Sequence, residues 1–479
     1  MNSKTVFSNL IWRFAERVGA QLVAFIVAVV LARILDPLTY GTVALITVFT
    51  TILQVFVDSG LGNALIQKKN ADNVDFSTVF WANVTLCIVI YILLFLASPV
   101  IAAFYGNSSI TAYMRVLGLT VLISGIKNVQ QAYVSRHMLF KKFFFSTLGG
   151  TIIAGIVGII MALNGFGVWA LVTQQVINLA IDTMILWFTV KWRPFFTFSF
   201  VRLKVLFSYG WKLLVSALLD TTYNNLRQLL IGKVYSSVDL AQYNQGDKFP
   251  QFVVSNINSS IDSVLLPAMS NVQDRKEEVK NMTRRSIKIS VYVMAPLMMG
   301  LAFCGQTVVG LVLTDKWLPC VFFMRIFCIT YMFYPIHTAN LNAIKAMGRS
   351  DLFLRLEIEK KVIGLVALVA TVFISVNAMA YSLLLISIIC QIINAAPNKK
   401  LLNYGYMEQL KDILPSVILA FVMGVCIYPI QNIGLSYSVT LLIQVPLGAL
   451  IYVAASKLLN IDSFDYLLGI IKPYLHIAK

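Results

Sequence analysis

Apolar stretches long enough to cross a membrane recur along the whole 479-residue chain. A bilayer hydrocarbon core of about 30 Å is crossed by a helix of roughly 20 apolar residues. Because 58% of the residues are hydrophobic and only 12% are charged, one or two water-soluble cores could not bury them all. The sequence therefore predicts an all-α polytopic membrane protein, with the bilayer as the solvent for most of the chain.

The apolar stretches predict about fourteen transmembrane helices. They fall near residues 10–35, 39–66, 76–104, 110–135, 143–163, 167–190, 205–233, 239–269, 286–313, 319–345, 352–376, 378–398, 412–430 and 435–456. Short connections, such as 164–167 and 431–434, fit antiparallel neighbouring helices. The sequence offers no connection long enough to form a separate extramembrane domain.

Lysine and arginine are concentrated in the connections on one side of the predicted bundle. If the N-terminus is cytoplasmic, the cytoplasmic connections contain Lys68, Lys69, Lys141, Lys142, Lys191, Arg193, Arg202, Lys204, Arg275, Lys276, Lys280, Arg284, Arg285, Arg349, Lys399 and Lys400. The opposite connections have little beyond Arg33, Lys233 and Lys316. Basic residues accumulate in cytoplasmic loops, so we expect both termini in the cytoplasm. The same loops account for most of the net charge of +17, which removes the main reason to expect nucleic-acid binding.

The second half of the chain partly repeats the first. Segment 7–13 resembles segment 207–212, and Arg33 is echoed by Lys233. The offset covers six predicted spans, so the halves cross the bilayer in the same direction, a pattern typical of transporters. We expect two parallel six-helix lobes around a central cavity, plus two C-terminal helices. The predicted divisions are an N-lobe (1–195), a cytoplasmic linker (196–204), a C-lobe (205–403), spans thirteen and fourteen (404–458) and a cytoplasmic tail (459–479).

Charged and amide side chains interrupt several predicted spans, although each charge at mid-bilayer costs about 2.5–3.5 kcal/mol on insertion scales. Spacings of three and four residues place them in stripes along single helix faces. The stripes on spans two and eight comprise Thr47, Thr51, Gln54 and Asp58, and Asn244, Lys248, Gln251, Ser255, Asn258 and Asp262. Spans four, six and seven contribute Lys127, Gln130 and Gln131, then Gln174, Asn178 and Asp182, then Lys212, Asp220, Tyr223, Asn224 and Arg227.

Two interpretations of these stripes remain open: they line a shared water-filled cavity, or they pair with one another and hold helices together. Under the first, the candidate substrate-binding residues are Arg13, Arg17, Lys127, Lys212, Arg227, Lys248, Gln131, Gln174, Tyr223, Asn224 and Gln251. Arginine and lysine suit an anionic substrate such as a phosphate. Asp58, Asp220 and Asp262 are candidates for proton or cation coupling. We expect no catalytic residue, metal site or cofactor.

Several segments resemble the polysaccharide transporter family. Segments 58–67 (DSGLGNALIQ), 32–41 (ARILDPLTYG) and 164–172 (NGFGVWALV) are similar to its D-x-G-L-G-x-A-L-I-Q, L-A-R-x-L-x-P-x-x-Y-G and G-x-G-V-W-A-L-V elements. Segments 266–270, 316–317 and 346–351 resemble family positions in the second half. The family belongs to the multidrug/oligosaccharidyl-lipid/polysaccharide (MOP) exporter superfamily, and the resemblance runs from about residue 5 to residue 400.

The resemblance implies a flippase rather than an enzyme. Its substrate would be an undecaprenyl-diphosphate-linked oligosaccharide repeat unit of O-antigen, capsule or exopolysaccharide. The unit would pass from the cytoplasmic to the periplasmic leaflet of a bacterial inner membrane by alternating access, as part of lipopolysaccharide or other polysaccharide biosynthesis. Expected partners are the lipid-linked oligosaccharide, membrane lipids, a proton or sodium ion, a polysaccharide polymerase and a chain-length regulator. The family supplies no catalytic motif, so the candidate residues above rest on physical inference.

Two other functions are compatible with parts of the pattern. A cation-coupled multidrug exporter of the same superfamily would share the architecture, but it would favour acidic cavity groups over the basic ones present here. An integral membrane polysaccharide polymerase or ligase would be expected to carry a large periplasmic loop with catalytic groups. The sequence has no such loop and no nucleotide-binding motif.

Overall fold

The computed structural model of the protein is almost entirely helical. It describes the backbone of residues 3–58 and 60–476, and the side chains of residues 19–58, 60–208 and 210–469. The α-helices in chain order are α1 (Ser3–Ile34), α2 (Pro37–Asp58), α3 (Leu61–Gln67), α4 (Asn73–Tyr105), α5 (Ile110–Arg136), α6 (Phe140–Leu163), α7 (Val168–Thr189), α8 (Phe200–Val234), α9 (Ser237–Ser270), α10 (Lys276–Phe303), α11 (Gly305–Leu313), α12 (Cys320–Met332), α13 (Tyr334–Ala346), α14 (Ser350–Thr371), α15 (Val376–Leu402), α16 (Tyr406–Ile427), α17 (Tyr437–Leu458) and α18 (Asp462–His476).

Ten helical segments in the described part of the chain are long and apolar enough to cross a bilayer. They are Pro37–Gln67, Asn73–Tyr105, Ile110–Arg136, Phe140–Leu163, Val168–Thr189, Lys276–Phe303, Cys320–Ala346, Val376–Leu402, Tyr406–Asn432 and Tyr437–Leu458. The all-α, multi-pass membrane class is therefore confirmed. The other four predicted spans fall on α1, α8, α9 and α14, which carry charged residues within their lengths. The total of about fourteen stays a prediction.

Three predicted spans consist of two helices each. Span 39–66 is divided between α2 and α3 near Gly60, span 286–313 at Cys304, and span 319–345 at Phe333. The last break has a local cause, because Pro335 occupies the first turn of α13 and lacks the N–H that a continuous helix would need. Most of the predicted tail forms α18, and its cytoplasmic placement stays a prediction.

Side-chain caps define several helix ends. The carboxylate of Asp72 accepts hydrogen bonds from the backbone N–H groups of Val74 and Asp75, and the Asp75 carboxylate accepts from the Asp72 N–H, which forms a capping box at the start of α4. Ser375 caps α15 by accepting from the Ala378 N–H at 2.9 Å. These caps satisfy backbone donors that the first helical turn leaves unpaired.

Helix contacts divide the chain into two units, Met1–Ala241 and Gln242–Lys479. In the first unit α6 packs on α7 and α1, α4 packs on α5, and α8 lies against α2, α3 and α4. In the second unit α10 contacts α16, α12 and α13, while α14 pairs with α15. The two lobes and the linker drawn from the sequence stay a prediction.

Glycines of two family-like segments lie where backbones approach closely. A Cβ on Gly41 would lie 1.6 Å from the carbonyl oxygen of Ser237, and a Cβ on Gly210 would lie 2.9 Å from that of Gly60. Any side chain at these positions would force the helices of the first unit apart. The glycines therefore set the distance of α2 and the start of α3 from the chain segments that pack on them.

Candidate functional site

A polar cavity of about 630 Å³ lies within the first unit. One wall is the α2 stripe predicted from the sequence, in which Thr47, Thr51, Gln54 and Asp58 recur at helical spacing. The remaining wall comes from α5, α6, α7 and α8 and includes Thr120, Thr147, Thr151, Gln175, Asn178, Asp182 and Thr221. The structure thus brings the whole α2 stripe to one cavity.

A buried ion pair stands beside this cavity. Lys127 of α5 donates to Oδ2 of Asp182 of α7 at 2.5 Å, and the two side chains are only 11% and 8% exposed. The other carboxylate oxygen of Asp182, Oδ1, is buried without a hydrogen-bond partner among the described residues. Lys127 was predicted to bind an anion, and the structure places its charge against a carboxylate on the neighbouring helix.

Asp58 stands at the end of α2 in a network of amides. Its Oδ1 accepts from Gln54 at 3.3 Å and from Asn128 of α5 at 3.4 Å. Asn128 in turn accepts from Asn83 of α4 at 3.2 Å. Asp58, Asn128 and Gln131 also line a second cavity in this unit, of about 350 Å³. Two predicted site residues, Asp58 and Gln131, therefore meet there.

The second unit has a comparable cavity, also of about 350 Å³. Asp262 of α9 accepts from Asn342 of α13 at 2.9 Å, and Thr338 donates to Asn258 at 2.7 Å. The lining also includes Gln251, Ser255, Ser259, Tyr334 and Lys345. The predicted residues Gln251 and Asp262 come together here, on the α9 stripe.

An aspartate–asparagine hydrogen bond thus recurs in both units. Each aspartate lies on the helix that bears the predicted stripe, and the asparagines follow by 70 residues in the first unit and 80 in the second. Asn128 and Asn342 were not predicted from the sequence. The internal repeat could have indicated them, because each asparagine stands three residues before a polar residue that lines the same cavity: Gln131 in the first unit and Lys345 in the second.

The other predicted site residues lie elsewhere. The side chains of Arg13 and Arg17 are outside the described residues. Seven predicted site residues with described side chains do not line the three cavities above. Three of them are exposed: Lys212, Asn224 and Lys248. The other four are partly buried: Gln174, Asp220, Tyr223 and Arg227. Gln174 packs against α6, because a Cβ added to Gly158 of that helix would lie 2.9 Å from the Cβ of Gln174.

Some polar groups inside the bundles pair with one another, as the second interpretation expects. Gln130 is fully buried and donates to the carbonyl of Trp192 at 3.1 Å. In the second unit Asn340 and Gln409 exchange two hydrogen bonds of 2.8 and 2.9 Å, and Asn398 donates to Asn340. These amides connect α13, α15 and α16 and serve packing.

A charged cluster joins the starts of α4 and α8 in the first unit. Lys68 contacts Asp75 at 2.7 Å, and Arg202 contacts Asp72 at 2.5 Å and Asp75 at 3.4 Å. The hydrogen bond from Arg202 is the main cause that lowers the pKa of Asp72 from 3.8 to about 2. The cluster fastens the segment after α7 to the N-terminal end of α4.

Long apolar helices around polar internal cavities are the architecture of a multi-pass membrane transporter. The model of the family described as "Polysaccharide biosynthesis protein" matches residues 30–322. The chain belongs to this family, as the motif resemblance predicted.

The chain is similar to proteins from several bacteria. The chain is 27% identical over 311 residues to the teichuronic acid biosynthesis protein TuaB of Bacillus subtilis, covering 63% of each protein. It is 22% identical to the lipopolysaccharide biosynthesis protein WzxC of Escherichia coli, covering 83% of each. It is 24% identical to an uncharacterised membrane protein of the cps region of Klebsiella pneumoniae, covering 88% of this chain and 85% of the relative. The alignment with TuaB spans less than two thirds of that protein.

Solved structures share the fold. The lipid II flippase MurJ, in an inward closed conformation, superposes with a TM-score of 0.75 over 94% of this chain and 99% of MurJ, at 13% identity. An inward-facing multidrug resistance MATE family transporter of the MOP superfamily superposes with a TM-score of 0.63 over 82% of this chain and 98% of its own, also at 13% identity. At such identities the likeness shows the fold alone, which agrees with the all-α transporter class predicted from the sequence.

Proposed function

We propose that the protein is a flippase for polyprenyl-diphosphate-linked oligosaccharides. The single observation that carries this is the large polar cavity inside the first unit of a chain that belongs to a polysaccharide biosynthesis family. Carboxylates within membrane-spanning segments are rare, and those that face a water-filled cavity typically mark the path of a polar substrate or ion. A lipid-linked repeat unit of O-antigen, capsule or exopolysaccharide is such a cargo.

The chemistry of this cargo matches the side chains available. Its sugars need hydrogen-bonding partners, which the cavities of both units provide. Its diphosphate needs cations, for which Arg13, Arg17, Lys212, Arg227 and Lys248 are the candidates. Lys127 is the weakest candidate for this role, because Asp182 already balances its charge. The polyprenyl tail is too long to enclose and would remain in lipid.

The proposed mechanism is alternating access, with transport from the cytoplasmic to the periplasmic leaflet of a bacterial inner membrane. Fourteen spans and two cytoplasmic termini belong to the same proposal, supported by the asymmetry of the loop charges. A proton or sodium gradient could act through Asp58, Asp220 or Asp262, and a polymerase and chain-length regulator would consume the product. In this mechanism the protein transports its substrate and does not catalyse a reaction.

A cation-coupled multidrug exporter is the second candidate. Two carboxylates, Asp58 and Asp182, line the large cavity, and acidic groups suit a cationic drug. The MATE transporter shares the fold. The family membership and the relatives WzxC and TuaB support the flippase instead.

Deletion of the gene in its native bacterium distinguishes the two candidates. The flippase proposal expects lipid-linked repeat units to accumulate on the cytoplasmic leaflet and surface polysaccharide to disappear, with both restored by the intact gene. Normal surface polysaccharide in a strain without a second flippase, together with increased sensitivity to cationic drugs, would contradict the flippase and favour the exporter.

A further inference from the structure

Several threonine hydroxyls that line the large cavity of the first unit are already used as donors to their own helices. Thr47 and Thr50 donate their hydroxyl hydrogens to backbone carbonyls of α2, at 2.8 and 3.0 Å. Thr151 does the same on α6 at 2.7 Å, and Thr120 on α5 at 2.6 Å. A hydroxyl has only one hydrogen to donate, so these four present lone pairs to any further partner.

Two carboxylates also line this cavity. Both hydrogen bonds to Asp58 reach the same atom, Oδ1. Asp182 gives Oδ2 to Lys127, and its Oδ1 is buried with no partner among the described residues although the whole residue is only 5% exposed. Oδ1 of Asp182 has almost no accessible surface, so the exposed Asp58, whose two hydrogen bonds both reach Oδ1, is the carboxylate that offers a further acceptor, Oδ2, to a ligand.

We propose that this cavity is the subsite that recognises the hydroxyl groups of the glycan, and that the diphosphate binds elsewhere. The inference rests on the proposed flippase function and assigns one part of the cargo to named acceptors: Thr47, Thr151 and Asp58. A sugar presents several hydroxyl donors at once, which these acceptors can satisfy. A diphosphate presents only anionic acceptors, which the carboxylates would repel, and the nearby ammonium of Lys127 is already paired.

The acceptors also restrict which sugars the cavity can bind. Neutral or amino sugars bring donors and no negative charge, whereas uronic acids would place a carboxylate near Asp58 or Asp182. Sites built to hydrogen-bond a hydroxyl reject analogues that lack it, because their own polar groups are then left unpaired. The subsite therefore selects for the free hydroxyls of the repeat unit as well as for its size.

The test compares two probes on the full-length protein in nanodiscs: bare undecaprenyl diphosphate, and undecaprenyl-diphosphate-linked repeat units isolated from the deletion strain. Thr47→Val and Thr151→Val remove an acceptor while preserving the shape of the side chain. Each should weaken binding of the glycosylated probe by about fivefold, the size of one net hydrogen bond, and leave binding of the bare carrier within twofold. Thr183→Val is the matched control, since Thr183 is a buried α7 threonine bonded to its own helix and does not line the cavity.

The possible outcomes distinguish a failure of the subsite inference from a failure of the proposed flippase function. Equal loss of both probes in the Thr47 and Thr151 variants would place the diphosphate in this cavity and overturn the inference. Unchanged binding of both probes would also overturn it. Failure of the unmodified protein to bind the glycosylated probe would contradict the proposed function itself. Because the two threonines lie on different helices, folding failure of one variant, detected as a lowered Tm, leaves the other to decide.

Discussion

Lys127 and Asp182 show how two buried charges of opposite sign can offset each other's desolvation cost inside a helical bundle. Either charge alone, buried between α5 and α7, would lack the water that stabilises it in solution. Held at 2.5 Å, the ammonium and the carboxylate compensate each other. The sequence identified both residues as intramembrane charges, but it could not tell a mutual pair from two separate ligands.

The pair yields a prediction about stability. Lys127→Met leaves Asp182 buried and unpaired, so we expect a loss of about 3–5 kcal/mol, whereas the double variant Lys127→Met/Asp182→Leu should recover most of it. Thermal unfolding in detergent measures the effect as a change in Tm. Arg275→Met is the control, because the Arg275–Glu278 pair is exposed and should contribute little. A double variant less stable than the single one would refute the compensation.

Asp72 gives a prediction about pH. Because its folded-state pKa is lowered from 3.8 to about 2, its bond to Arg202 stabilises the protein above the unfolded pKa, and that contribution is lost as pH falls through the folded one. Asp72→Asn keeps the helix cap but removes the charge. The Tm of the unmodified protein should exceed that of the variant at pH 5, and the difference should shrink as pH falls towards 2 and vanish only below it. A difference in Tm that stayed constant over this pH range would contradict a stabilising role for the Asp72–Arg202 bond.

At the scale of helices, the glycines of segment 58–67 set how closely elements pack. A Cβ on Gly62 of α3 would lie 2.6 Å from Oδ1 of Asn128, the amide that holds Asp58 and Asn83. The family-like motif therefore keeps room for a hydrogen-bond network as well as for a turn. This link between a glycine and a distant asparagine is invisible in the sequence, since it depends on how α3 meets α5.

Gly62→Ala should disturb that network. We expect the added methyl to displace Asn128 and to cost about 1–3 kcal/mol, as overpacking usually does. A lower Tm in detergent would report it. Gly300→Ala in α10 is the matched control, because the nearest atom to its Cβ would be 3.9 Å away, and it should leave Tm unchanged or slightly raised. Identical behaviour of the two variants would show that the close approach at Gly62 carries no energetic weight.

Helix positions were largely predictable, because apolar length is a local property of the sequence. All fourteen predicted segments coincide with helices, and the missed breaks at Gly60, Cys304 and Phe333 fall inside stretches that were predicted as single spans. The stripes on α2 and α9 were also predictable, since helical spacing alone places their residues on one face. Partners such as Asn128 and Asn342 were not, because an apolar span gives no sign of which neighbour its single amide will meet.

At the scale of the whole molecule, each unit carries an aspartate–asparagine bond beside a polar cavity. The internal repeat predicted from short sequence echoes thus has a counterpart in side-chain contacts. The two copies differ where Gln131 of the first cavity corresponds to Lys345 of the second. The second unit therefore has a basic side chain at the position where the first has an amide.

The proposed flippase function can be measured as transport of the lipid-linked glycan in a purified system. Proteoliposomes would contain undecaprenyl-diphosphate-linked repeat units whose sugars are labelled, and a membrane-impermeant reagent would report the fraction in the outer leaflet over time. If the protein is a flippase, inner-leaflet glycans should become accessible to the reagent much faster than they do in protein-free liposomes. Equal rates with and without the folded protein, under an imposed proton or sodium gradient as well as without one, would contradict it.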